Sequence, residues 1–206
     1  MAHSVTADCD GLPIDQQCPK PRQREMTPVE TNRTADFDVS ALFAALDAQR
    51  MTQSLSWRGL ADALWDQSAV LNLRRRDHPI SPATIKSMAQ RGDTTCQHAL
   101  FMLRWLSRTP ESFVPGAPTE TARNALPHAG PDQRLRWDLV LLHEAVNGRR
   151  RDSEMTWQQV AKELGCTDNQ LTGLRTARFS TGMVLAMRIV QWLERPARDF
   201  IYAARW

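Results

Sequence analysis

The chain has 206 residues, 42% of them apolar, and a formal net charge of +3, enough to bury one large core or two small ones. The positive surplus falls in two blocks, +2 over residues 37–115 and +3 over 132–206, against −2 over 1–36; this mild bias permits a polyanionic partner without demanding one. No run approaches the roughly 18 consecutive apolar residues of a membrane span, and no basic stretch leads into an apolar one at the start, so a cytoplasmic protein is expected.

Residues 1–36 carry Pro13, Pro19, Pro21 and Pro28 among polar side chains with almost no apolar period, which predicts a disordered arm. Lys20, Arg22 and Arg24 in that arm suit either phosphate contact or simple solvation. From residue 37 the apolar spacing becomes helical. Leu42, Ala45 and Leu46 share one face of a first helix. Ser56 is placed to cap a second, whose stripe Trp57, Leu60, Ala61 and Leu64 continues toward Leu71. A basic knuckle, Arg74, Arg75 and Arg76, then precedes Asp77, His78 and Pro79. Ser81 as N-cap, Pro82 at the first helical position and Gly92 beyond the end bracket a third helix, with Ala83, Thr84, Lys86, Ser87 and Gln90 outward. Thr94 or Thr95 opens a fourth, with Leu100, Leu103 and Leu106 inward.

The stretch from Pro115 to Pro131 holds four prolines and two glycines, so residues 116–131 read as a linker between a domain at 37–115 and another at 132–206. In the second domain Leu139, Leu142, Ala145 and Val146 mark the first helix. Thr156 caps a stripe of Trp157, Val160, Ala161 and Leu164, and Gly165 stands where a left-handed C-cap is favoured. Thr167 and Gln170 form a capping box for a third helix with Leu171 and Leu174 inward. Ser180 is placed to cap a fourth, carrying Met183, Met187, Val190 and Leu193.

The two blocks repeat each other. A shift of 100 aligns Leu42 with Leu142, Ala45 with Ala145, Arg50 with Arg150, Ser56 with Thr156, Trp57 with Trp157, Ala61 with Ala161 and Leu64 with Leu164. After about 14 extra residues in the first block, Ile85 meets Leu171 and Met88 meets Leu174; one more slip pairs Ala99 with Ala186, Trp105 with Trp192 and Phe113 with Phe200. Such ordered matches indicate an internal duplication.

From Thr156 to Arg175 the pattern is a capped helix with a small alanine, then Leu-Gly, a short turn opened by Thr167, and a helix with Leu171 and Leu174 inward. This segment resembles the lambda-repressor-like, Cro-type helix-turn-helix family. The resemblance implies an all-α fold: a tandem duplication of a small four- to five-helix domain, preceded by the disordered arm, with the third helix in the major groove of double-stranded DNA. Asp168, Asn169, Gln170, Thr172 and Gly173 take the base-reading positions; amide side chains suit adenine and a threonine methyl suits thymine. Gln158, Arg175 and Arg178 in the second copy, and Arg74, Arg75, Arg76, Thr84, Lys86 and Arg91 in the first, are candidate phosphate contacts, although polar residues on any outer helix face look alike.

Trp157 departs from the family, many of whose members carry Gln there; because Trp57 repeats it, both indoles are read as core or helix-entry packing, with a phosphate contact from the indole N–H as the alternative. Asp168, an anion aimed at the expected DNA, suits the helix dipole or a cytosine amino group. Trp105, Trp192, Phe113, Phe200, Tyr202 and Trp206 are available to pack the copies into an intrachain pseudo-dimer, with a homodimer of whole chains left open. Cysteines at 9, 18, 96 and 166 and histidines at 3, 78, 98, 128 and 143 show neither metal-ligand nor catalytic spacing, so neither an enzyme, a metal nor a cofactor is expected. The alternative is a helix-turn-helix fold used as an antitoxin-like or adaptor module that binds protein.

Overall fold

The computed structural model describes residues 34–74, 80–117, 124–176 and 181–205, and its helices begin mostly where the sequence supplies a side-chain cap. Helix α1 (Val39–Thr52) follows Asp38, whose carboxylate accepts from the Ala41 N–H at 2.8 Å. Helix α2 (Trp57–Asp66) follows Ser56, and α3 (Ala69–Asn72) is a single turn. Helix α4 (Pro82–Arg91) runs from the Ser81 cap and its first-position proline to Gly92, which takes φ 65°. Helix α5 (Cys96–Leu106) is capped by Thr95.

The second half follows the same course. Helix α6 (Leu139–Asp152) starts at Asp138, α7 (Trp157–Leu164) at Thr156 and α8 (Asp168–Gly173) at Thr167; the last two have full capping boxes with Gln159 and Gln170. Helix α9 (Met183–Trp192) closes the set. Strands β1 (Arg134–Trp137) and β2 (Ile201–Ala204) form a two-stranded antiparallel ribbon with Arg134 opposite Ala204 and Trp137 opposite Ile201. The fold is therefore largely helical, with a small sheet that an all-α expectation lacks.

Two helix boundaries differ from the sequence expectation. The second helix does not run on to Leu71: it ends at Asp66 because Ser68 turns away at φ −124° and buries its hydroxyl, which donates to the Gln133 carbonyl at 2.7 Å. The expected Ser180 cap lies outside the described residues. Instead the N-cap of α9 is Gly182, which offers no side chain, and the carboxylate of Asp93, 91 residues away, accepts from the Val184 N–H at 3.2 Å. A Cβ at position 182 would meet that carboxylate, so a larger residue there would have to displace the Asp93 side chain from its capping position.

The first helices of the two halves and their flanks match. Both first helices have 14 residues, and positions 41–58 and 141–158 share the same pattern of burial. Arg50 donates to the Leu55 carbonyl at 2.6 Å and Arg150 to that of Met155 at 2.8 Å. The Asp38 and Asp138 N–H groups donate to the carbonyls of Phe113 and Phe200, each at 2.7 Å.

Thr34–Trp206 form one compact unit, and its core runs without a break from Leu42, Leu60, Ile85 and Leu103 to Leu142, Leu164, Leu174 and Met187. Contacts of the bulky aromatics lie largely within their own half: Phe113 packs on Phe37, Trp192 takes Arg149 and Glu163, and Phe200 takes Arg195. Trp206 lies outside the described residues. Polar side chains join the halves as well. Arg104 on α5 donates to the carbonyls of Ala129, Gly130 and Gln133 and to Ser68 Oγ. Arg134 is buried with its guanidinium 4.5 Å from the Trp65 ring centre and 5.8 Å from that of Phe101.

Where described, the expected linker is thus held down: Arg104 grips its Ala129 and Gly130 carbonyls, and Pro131 O accepts from the Leu71 N–H at 3.2 Å. Residues 1–33 of the expected arm lie outside the described residues. Its last residues are fastened: Ala35 exchanges two hydrogen bonds with the Gln191 amide and Asp36 pairs with Arg188. Among the described residues, no helix is long and apolar enough to cross a membrane and no cluster of three His, Cys, Asp or Glu side chains is placed to hold a metal.

Candidate nucleic-acid interface

The sharpest local geometry is the α7–turn–α8 unit. Its three turn residues, Gly165, Cys166 and Thr167, begin with glycine at φ 63°, a left-handed value that a side chain would strain. The Arg188 guanidinium lies over this turn and donates to the carbonyls of Leu164 and Gly165 at 3.3 and 3.4 Å. Leu164, Leu171 and Leu174 are buried beneath it, which fixes the outward face of α8. The Cys166 thiol beside the turn is pushed up to about 11 by burial, so it stays protonated at neutral pH.

Asp168, Asn169, Gln170 and Thr172 are exposed on that face and Gly173 is half-buried at its end. Their side chains are not equally available. Gln170 Oε1 already accepts from the Thr167 N–H at 2.9 Å, Thr172 Oγ1 donates to the Asp168 carbonyl at 3.1 Å, and Asp168 Oδ1 accepts from the Asn169 N–H at 2.9 Å. Of the two amides on this face, Gln170 is held by Thr167, while among the described residues no protein partner engages the Asn169 side chain, which suits paired contact with an adenine edge. Asn169, Gln170 and Gly173 also line a cleft of about 350 Å³ whose far wall is Asp93, Thr181, Gly182 and Leu185.

In the first half the corresponding helix is α4, separated from α2 by residues 67–81 and the α3 turn in place of a tight glycine turn. Lys86 is exposed, with Nζ 5.5 Å from the Trp57 ring centre, and Arg91 is exposed at the C-terminal end. Thr84 is half-buried and spends its hydroxyl on Ser81 Oγ at 2.9 Å and its N–H on the same atom at 3.1 Å, so it serves the helix start. Arg74 is exposed after α3, and Gln158 and Arg175 are exposed around the second unit. Arg75, Arg76 and Arg178 lie outside the described residues.

Both tryptophans are half-buried at the start of their helices and packed on the core. Trp57 stacks on Phe43 under Arg50, and Trp157 on His143 under Arg150, each with ring centres 5.3 Å apart. Burial, helped by Arg175 and opposed by Glu144, holds His143 below the ordinary imidazole value of 6.5; burial and Arg91 do the same to His98. Each therefore binds its proton more weakly folded than unfolded. Their stabilising share is complete above pH 6.5 and is lost as pH falls through the lowered values. The thermal midpoint should drop between about pH 8 and about pH 5, and His143→Phe, which copies the ring at Phe43, should keep the stack and shrink that drop. An unchanged drop in the variant would remove His143 from the account.

Sequence reasoning missed Asp93 and Gly182. Nothing near either residue signals the contact, since the helix that Asp93 caps lies in the other half. No family model, no curated protein and no solved structure matches this chain.

Proposed function

We propose that the chain is a double-stranded DNA-binding regulator of transcription or of a mobile element, built from two diverged helix-turn-helix domains. One observation carries the reading: α8 is pinned from below by Leu171 and Leu174 and capped by Thr167, and it turns a row of short polar side chains, Asn169 foremost, to solvent. A short helix held rigidly on an adjacent one, with an uncommitted amide at its N-terminal end, is the arrangement that places a side chain against base edges. Helix α4 offers the other chemistry, cationic Lys86 and Arg91, which favours phosphate over bases. An adaptor whose third helices met its partner by apolar burial would carry apolar side chains on these faces.

The test is a fluorescence titration against a duplex enriched by the chain from a random pool and against a scrambled duplex, at several salt concentrations. Asn169→Ala should cost about 1–3 kcal/mol on the enriched duplex alone. Removing Lys86 and Arg91 together should weaken both duplexes alike and flatten the slope of log affinity against log salt by about one unit per lost phosphate contact. Equal losses on both duplexes from Asn169→Ala would end the base-reading role, and failure to enrich any duplex would leave the protein-binding module as the function.

A further inference from the structure

The seam between the halves has the form of a two-fold contact. Thr95 and Gly182 face each other in an antiparallel bridge, flanked by two matched hydrogen bonds: Cys96 N–H to the Thr181 carbonyl at 2.9 Å and Met183 N–H to the Thr94 carbonyl at 2.7 Å. Residue numbers on the two sides differ by 87 throughout. The internal repeat has the same shift of 87 here, pairing Ala99 with Ala186 and Trp105 with Trp192, so Thr95 and Gly182 are equivalent positions that meet each other across a local two-fold axis. That is the signature of an isologous interface, in which one patch meets its own counterpart. Here both patches belong to one chain.

Both candidate reading helices run into this seam. Helix α4 ends at Arg91, three residues before Thr94. Asn169, Gln170 and Gly173 of α8 share one cleft with Asp93, Thr181 and Gly182 of the seam itself. The joint is also stiff: Asp93 caps a helix of the opposite half, α5 packs on α9, and the Arg104 and Arg134 anchors lie behind. The halves are nevertheless unlike at their reading faces. One shows Lys86, Gln90 and Arg91 after a proline start, and the other Asp168, Asn169 and Thr172 after a capping box.

Resting on the DNA-binding reading above, we infer that a single chain is the complete reader of a two-part operator with unlike halves, held at one fixed spacing by this seam. A symmetric dimer reads a palindrome because its two readers are copies; this chain carries two different readers around the same kind of axis. It needs no second copy, and its preferred site has a direction.

The experiment uses the full chain and the duplex that it enriches from a random-sequence pool. Sedimentation of the complex should give one chain per duplex. Inserting about 5 base pairs at the centre turns one half-site to the opposite face, and inserting about 10 restores the face at a longer distance. Both should weaken binding by about a hundredfold, the scale of losing simultaneous engagement of two linked sites. Duplexes made of either half-site repeated as a palindrome should also bind less tightly than the directional site.

Two chains per duplex, a palindrome bound as tightly as the directional site, or free tolerance of the 10-base-pair insertion would each overturn the inference and leave DNA binding standing. Failure to enrich any duplex would overturn both together.

Discussion

Leu164→Ala lowers the free energy of unfolding by about 2–5 kcal/mol, the range for truncating a fully buried leucine where the surroundings cannot collapse into the space. Leu164 is 1% exposed and is the last residue of α7. Collapse is hindered on both sides: the following Gly165 holds a left-handed turn, and Arg188 is bonded to the Leu164 carbonyl at 3.3 Å. The cavity would therefore open under the turn that orients α8, and under the DNA-binding proposal duplex affinity should fall along with stability. Denaturant unfolding with a parallel binding titration checks both, and a stability loss near zero would mean that α7 presents another face to the core.

Arg104→Ala is the second large effect, at about 3 kcal/mol, the order for removing a charged donor that serves several half-buried acceptors at once. Its guanidinium reaches Ser68 Oγ and the carbonyls of Ala129, Gly130 and Gln133 at 2.6 to 3.3 Å. Burial already lowers its affinity for its proton, so the side chain carries a desolvation cost that only these acceptors offset. Arg104→Lys should rescue little, because one ammonium cannot span acceptors that a planar fork reaches together. Hydrogen exchange is the readout: protection should be lost in the 124–133 segment and in α3 while α7 and α8 keep theirs. Full rescue by lysine would show that charge alone, not the fork, holds the segment.

Features set by a few neighbouring residues were legible in the sequence. Ser56, Ser81, Thr156 and Thr167 cap their helices, Gly92 and Gly165 take the left-handed ends, and Leu171 and Leu174 point inward. Each signal spans about one turn of helix, within which hydrogen bonding is decided locally. Features set by distant residues were not. The break at Ser68 depends on the Gln133 carbonyl, and the cap of α9 depends on Asp93. The two strands have four residues each, too few for a period of two to show. At the candidate site the exposed row on α8 was legible from helical spacing, but the division of labour within it was less so. Gln170 was given both a capping role and an adenine contact, and its one amide oxygen is already engaged by Thr167.

The tie between Ala35 and Gln191 imposes an order on the life of the chain. The Ala35 N–H donates to the Gln191 side-chain oxygen at 2.9 Å, and the Ala35 carbonyl accepts from its amide at 2.7 Å, across 156 residues of sequence. A ribosome adding about 5–20 residues each second needs about 8–30 s to deliver the second partner after the first. Helices form in about a microsecond, so α1, α2 and α4 have ample time to assemble while the strip that precedes them is still unfastened. Phe37 and Asp38 can settle on Phe113 within the first half, but Ala35 gains its two bonds only once α9 has been made.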